Sequence, residues 1–142
     1  METLSEVLFY TLEKTSKAYR KFAQAQIIKN GYDITIDQWL VLKTLQENQN
    51  IAQNQLAELV FKDFASITRI IELLTQKGFV QRKINTTDRR KFVLEITKKG
   101  YKTIENIYPI VVEYRKQALN NLTKGEINNL KAQLEKIILN CK

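Results

Sequence analysis

Three side chains able to hydrogen-bond, Ala65's neighbours Ser66, Thr68 and Arg69, stand close together near the middle of the chain. A denser basic group follows: Arg82 and Lys83, then the polar run Asn85-Thr86-Thr87-Asp88, then Arg89, Arg90 and Lys91. Hydroxyls and a guanidinium can address base edges, and clustered cations can address phosphates or enter a narrow minor groove. The chemistry implied is recognition of a polyanion. Bond-making has little support. The chain has no histidine and a single cysteine, Cys141, so the commonest general base is missing and a thiolate metal site cannot be assembled. No phosphate-binding loop, dinucleotide fingerprint or nucleophile elbow occurs. Carboxylates or lysines could still do chemistry, but nothing in their spacing marks them out. No catalytic residue, metal site or cofactor is expected.

The balance of charge agrees: 23 Lys+Arg against 15 Asp+Glu gives a formal charge of +8. Such an excess favours DNA, RNA or an anionic membrane surface, although a soluble protein can simply be basic. The membrane option is weak. Met1 to Glu6 is acidic where a signal peptide would be basic, and the apolar stretches Val7–Tyr10 and Ile107–Val112 are far too short to span a bilayer. A cytoplasmic protein is expected, and one lone cysteine fits a reducing compartment.

Positioning these side chains requires a frame, and hydrophobic period supplies one. The first thirty residues read as one helix, with Leu4, Leu8, Leu12, Tyr19, Phe22 and Ala23 at helical steps, stopped by Asn30-Gly31. Thr35-Ile36-Asp37-Gln38 has the form of a capping box. It opens a second helix that carries Trp39, Leu42 and Leu45 to about Asn48. Gln53 to Val60 is a short third helix. A fourth begins near Asp63 and ends at Lys77-Gly78, with Ile67, Ile70, Ile71 and Leu74 as its buried stripe. At 100° per residue, Ala65, Arg69, Glu72 and Gln76 fall opposite that stripe and Ser66 and Thr68 flank it. After Gly78 the period becomes two. Phe79–Ile84 and Lys91–Thr97 read as strands of a hairpin whose tip is Asn85 to Arg90. Thr97 can cap the next helix, in which Pro109 should cause a kink or a restart. Thr123-Lys124-Gly125-Glu126 is a second capping box, opening a last helix with Ile127, Leu130, Leu134, Ile137, Ile138 and Cys141 on one side.

The fold class is therefore mainly α with a small β-hairpin wing (α+β), a winged helix-turn-helix. Two helices joined by a short turn, followed by a basic hairpin, make a compact nucleic-acid reader.

The run from Ser66-Ile67-Thr68-Arg69 through Gly78-Phe79-Val80-Gln81-Arg82, Asp88-Arg89-Arg90 and Leu94-Glu95-Ile96-Thr97-Lys98-Lys99-Gly100 resembles the MarR family of bacterial regulators. Thr35 to Leu45 is similar to that family's second helix. The resemblance covers about residues 35 to 100 in motifs and the whole chain in layout. It implies a sequence-specific DNA-binding transcriptional regulator, a repressor released by a small-molecule effector, and not an enzyme. It divides the chain into an N-terminal dimerisation helix (1–34), a winged helix-turn-helix core (35–97) and C-terminal dimerisation helices (98–142). By that resemblance Ala65, Ser66, Thr68 and Arg69 meet the major groove. Asn85, Asp88, Arg89, Arg90 and Lys91 form the wing contacts: Arg90 enters the minor groove and Asp88 holds it by a charged hydrogen bond, unless Asp88 is only a turn former. Three departures stand out: Thr86-Thr87 replaces a frequent proline, Ala52 replaces a frequent hydroxyl cap, and Ile96 replaces Leu.

The terminal helices carry apolar seams that the small winged core could only partly cover. The resemblance implies that they pack against a second copy in a homodimer, whose two-fold symmetry sets the recognition helices roughly 34 Å apart; the alternative is a bundle within a monomer. The resemblance further implies a small aromatic or anionic effector between the dimer arms and the core. Lys14, Trp39 and Lys43 are candidates to line its pocket, although Trp39 also suits an ordinary core. Cys141, near the C-terminus, is better explained by packing than by sensing. The rival reading from another class is a winged-helix module that binds a protein partner without specific DNA binding. The operator, the regulated genes, the effector's identity and the sign of regulation are not legible.

Overall fold

The computed structural model describes residues 1–88 and 92–142. Its order is a 3-10 turn (Leu4–Glu6), α1 (Leu8–Lys29), α2 (Ile36–Glu47), α3 (Gln53–Leu59), α4 (Phe64–Gln76), β1 (Val80–Ile84), β2 (Phe92–Ile96), α5 (Lys98–Ala118) and α6 (Lys124–Asn140). The strands pair antiparallel, Val80 opposite Ile96 and Ile84 opposite Phe92. This is the expected mainly helical chain with one hairpin.

Local signals set most boundaries. The Thr35 hydroxyl accepts from the Gln38 backbone N–H at 3.0 Å, and the Thr35 N–H donates to Gln38 Oε1 at 3.1 Å. Both orphan groups at the start of α2 are thus satisfied. Thr123 and Glu126 repeat the device at the start of α6. Ala52 stands at the N-cap of α3 and gives it no side-chain hydrogen bond, as the missing hydroxyl there leads one to expect. Gly78 ends α4 in the left-handed region at φ +79°.

The first thirty residues are not one helix. Val7 is extended at φ −87°, ψ 121°, and separates the 3-10 turn from α1. Thr3 and Glu6 close that turn on themselves, the Thr3 N–H donating to Glu6 Oε2 at 2.7 Å, so the leucine spacing that continues across it is not a continuous helix. Pro109 does not restart α5, which runs unbroken from Lys98 to Ala118. The carbonyl that loses its intrahelical donor belongs to Glu105. Glu105 and Pro109 lie on the exposed side, where water can satisfy it, while Ile104, Ile107, Val111 and Tyr114 stay buried opposite. The strands are shorter than expected: Phe79 precedes β1, and Thr97 caps α5.

The core is gathered from every element between α1 and α5. Ile27 of α1, Leu42 of α2, Leu56 of α3, Ile67, Ile71 and Leu74 of α4, and Ile107 and Val111 of α5 are fully buried. Ile70 is half-buried. Trp39 belongs to this core at 5% exposure. Tyr114 carries α5 onto α1, its ring 6.0 Å from Tyr19 and 6.5 Å from Phe22. Burial pushes its phenol up to about 12.

The junction of hairpin and helices is tight. The Thr97 hydroxyl donates to the Gly78 carbonyl at 2.6 Å and accepts from the Gly100 N–H at 3.0 Å, while the Thr97 N–H donates to the Phe79 carbonyl at 3.0 Å. One threonine thus joins the end of α4, the root of the hairpin and the start of α5. A Cβ on Gly100 would lie 2.2 Å from the Phe79 carbonyl oxygen, so only glycine fits this crossing. The Thr-x-x-Gly pattern is the sequence form of that contact.

The chain's two ends differ from the middle. Leu4, Leu8, Phe9, Leu119, Leu122, Leu130, Ile138 and Leu139 are all exposed, and α6 buries no residue.

Candidate nucleic-acid interface

Asp63 caps the N-terminus of α4, its Oδ1 accepting from the Ser66 backbone N–H at 2.7 Å. That bond holds the Asp63 carboxyl below the usual carboxylate range. With the stripe Ile67, Ile71 and Leu74 pinned inward, Ala65, Arg69, Glu72 and Gln76 are exposed and Ser66 and Thr68 lie half-buried, as the helical projection requires. Arg69 reaches only to 4.0 Å from Glu72 Oε2, and both side chains are open to water. So loose an exposed pair contributes little and leaves the guanidinium available.

Thr68 is placed differently from Arg69. Its hydroxyl donates to the Phe64 carbonyl at 2.8 Å and accepts from Gln53 Nε2 at 2.8 Å. Its one proton is therefore committed to its own helix, and what it offers outward is a methyl group and a remaining lone pair. Gln53, at the start of α3, was not legible as a partner, because nothing local links residues so far apart in sequence.

In the hairpin, Asn85 Oδ1 accepts from the backbone N–H groups of Thr87 at 2.8 Å and Asp88 at 3.3 Å. Asn85 shapes the tip through its own side chain, an Asx turn. Asp88 is half-buried at the end of that turn. Arg89, Arg90 and Lys91 lie outside the described residues, and with them the expected Asp88–Arg90 bond. On the strands, Glu95 Oε2 accepts from Lys83 Nζ at 2.7 Å and from Gln81 Nε2 at 3.0 Å, and these bonds hold the carboxyl down. Arg82, on the opposite phase, has no ion pair or hydrogen bond among the described residues.

The surface also carries apolar side chains that helical and strand periods assign inward or leave unnoticed. Phe64 is 61% exposed on the first turn of α4, and Phe92 is 65% exposed on β2. The alternation through Phe92, Leu94 and Ile96 thus buries progressively toward Ile96, and Phe92 overhangs the core.

The frame under this surface is cross-braced. Asp37 of α2 takes hydrogen bonds from Arg20 of α1 and from Lys62 in the turn between α3 and α4, the latter at 3.0 Å. Burial raises the Asp37 carboxyl, but the two cations outweigh it and the net direction is down. Lys77 donates to the Asp33 carbonyl and, at 3.1 Å, to Gln38 Oε1.

The residues expected to line an effector pocket are placed as follows. Trp39 is in the core, Lys14 is exposed on α1, and Lys43 donates to Gln46 Oε1 at 2.7 Å while lying 5.5 Å from the centre of the Tyr108 ring. Among the described residues no group of three or more His, Cys, Asp or Glu could hold a metal ion, and no helix is long and apolar enough to cross a membrane.

Comparison with known proteins fits this geometry. The MarR family model matches residues 34–92. The multiple antibiotic resistance protein MarR of Escherichia coli is 30% identical over 107 residues, 75% of this chain and 74% of that protein. The chain belongs to the MarR family. A probable transcriptional regulator from Pseudomonas aeruginosa superposes with a TM-score of 0.85 at 27% identity, covering 95% of this chain and 99% of that one. E. coli MarR complexed with operator DNA gives 0.85 at 22% identity, covering 96% and 99%. BpsR of Bordetella bronchiseptica, whose DNA binding is described as regulated by 6-hydroxynicotinic acid, gives 0.87 at 20% identity, covering 96% of each chain. These last two likenesses establish the MarR fold. This MarR-family chain is thus a transcriptional regulator and not an enzyme, and α4 with the hairpin is its candidate DNA-reading surface.

Proposed function

We propose that this MarR-family regulator binds a pseudo-palindromic operator in duplex DNA as a homodimer, and that it is a repressor released by a small aromatic or anionic effector. One observation carries the reading. Arg69, 68% exposed, stands on the outward face of a helix whose Ile67, Ile71 and Leu74 are fully buried on the other side, beside a hairpin rich in cations. A rigid helix with a free guanidinium suits base-edge readout, and the hairpin suits backbone and minor-groove contact.

The homodimer is supported by the exposed leucines, isoleucines and phenylalanine of both chain ends, which the winged core leaves uncovered; a second copy is the occupant that symmetry supplies. The 1–34 and 98–142 segments are then the dimerisation arms and 35–97 the reading core. The effector follows the relative regulated by 6-hydroxynicotinic acid. The place to seek it is between the arms and the core, where Lys14 and Lys43 remain the candidate contacts while Trp39 is buried in the core.

Selection of duplexes from a random pool by the purified chain, followed by competition at rising salt, tests the reading. A preferred duplex should emerge, and its affinity should fall steeply with salt as counterions are released. A chain that selects no sequence, or whose binding ignores salt, would contradict it.

A further inference from the structure

Between the recognition helix and the hairpin runs a trough of about 250 Å³, lined by Phe64 and Thr68 of α4, Arg82 and Phe92 of the hairpin, and Ile51 and Gln53 at the entry to α3. No carboxylate is among these residues. Arg82 has no ion pair or hydrogen bond among the described residues, whereas Lys83 beside it is spent on Glu95. The two phenylalanines are more than half exposed although each belongs to a regular element next to the core. Gln53 carries a second amide N–H beyond the one it gives to Thr68.

Position supplies the occupant. If α4 enters a major groove and the hairpin tip reaches the adjacent minor groove, one sugar–phosphate strand separates the two, and it must pass through this trough. The lining matches that strand's chemistry: a guanidinium for the phosphate, and ring faces for the apolar side of the deoxyribose. Resting on the function proposed above, we propose that Arg82 grips a phosphate of the strand between the two grooves, with Phe64 and Phe92 against the flanking sugars. Arg82 is then a positioning contact that sets the register of α4 on the duplex and carries no sequence information.

Arg82→Ala and Arg82→Lys in the full chain test this, with the duplex selected by the wild type and an unrelated duplex of equal length. Arg82 is exposed and its side chain has no partner among the described residues, so neither change should disturb folding, which a thermal melt checks. Arg82→Ala should lower affinity roughly tenfold for both duplexes alike, and should reduce the salt slope by about 0.9 per chain bound. Arg82→Lys should keep the slope. Replacing single phosphates with neutral methylphosphonates should identify a position in each half-site where the wild type loses affinity and Arg82→Ala loses none. An unchanged slope in Arg82→Ala, an altered base preference, or the absence of such a position would overturn the proposal while leaving the DNA-binding reading intact. A wild type that prefers no duplex would overturn both.

Discussion

Gln53 Nε2 donates to the Thr68 hydroxyl at 2.8 Å, fastening the first residue of α3 to the outward flank of α4. Because the same hydroxyl gives its proton to the Phe64 carbonyl, Thr68 serves the helix before it can serve a ligand. The relationship separates two kinds of residue on one surface: those that hold α4 in place and those left exposed for contact.

Thr68→Val should therefore act on stability. Loss of both hydrogen bonds should cost about 1 kcal/mol in denaturant unfolding, with base preference in competition binding unchanged. A changed preference at full stability would mean that Thr68 reads directly.

Arg69→Ala should do the reverse. Its link to Glu72 is long and exposed, so stability should hold. Specific binding should weaken by about 1–3 kcal/mol, with discrimination relaxed at one base pair per half-site. Selection repeated with the variant would show which position has lost its preference.

Gly100→Ala should be poorly tolerated although the change is a single methyl. The added carbon meets the Phe79 carbonyl oxygen, and neither backbone can retreat without breaking the Thr97 bonds. A loss of about 2–3 kcal/mol in unfolding is expected. A variant as stable as the wild type would show that the junction can open.

Asp37 gives a pH signature. Its carboxyl is held below its unfolded value, so the native state favours the ionised form. Its contribution is complete above the unfolded pKa of about 3.9 and fades as pH falls through the lower folded value. Asp37→Asn should be less stable than the wild type at neutral pH, and the gap should close below about pH 4. A gap that persists into acid would assign the loss to packing.

What the sequence made legible was local. The Thr35–Gln38 box, the Gly78 cap and the change from helical to strand period each lie within a few residues, where backbone geometry alone limits the outcomes. The frame of α4 and the outward position of Arg69 followed from one helical projection. The ties that hold this frame were not legible: Gln53 to Thr68, and Arg20 and Lys62 to Asp37, join residues that only the tertiary fold brings together. The break at Val7 escaped because leucines at Leu4, Leu8 and Leu12 keep helical spacing whether or not the backbone does. Pro109 misled in the opposite direction, since a missing donor on an exposed face costs a helix little when its buried face is well packed. Strand period places Phe92 on one face with Leu94 and Ile96, and nothing in the helical projection marks Phe64, yet both are exposed and border the trough.

The proposed homodimer requires two matched recognition helices to meet one face of one duplex. A binding titration with the selected duplex, repeated after inserting about five base pairs between its half-sites, tests that geometry directly, since half a helical turn moves one half-site to the opposite face. Two chains per original duplex, with affinity falling at least roughly tenfold on insertion, is the expected result. One chain per duplex, or equal affinity for both duplexes, would contradict it.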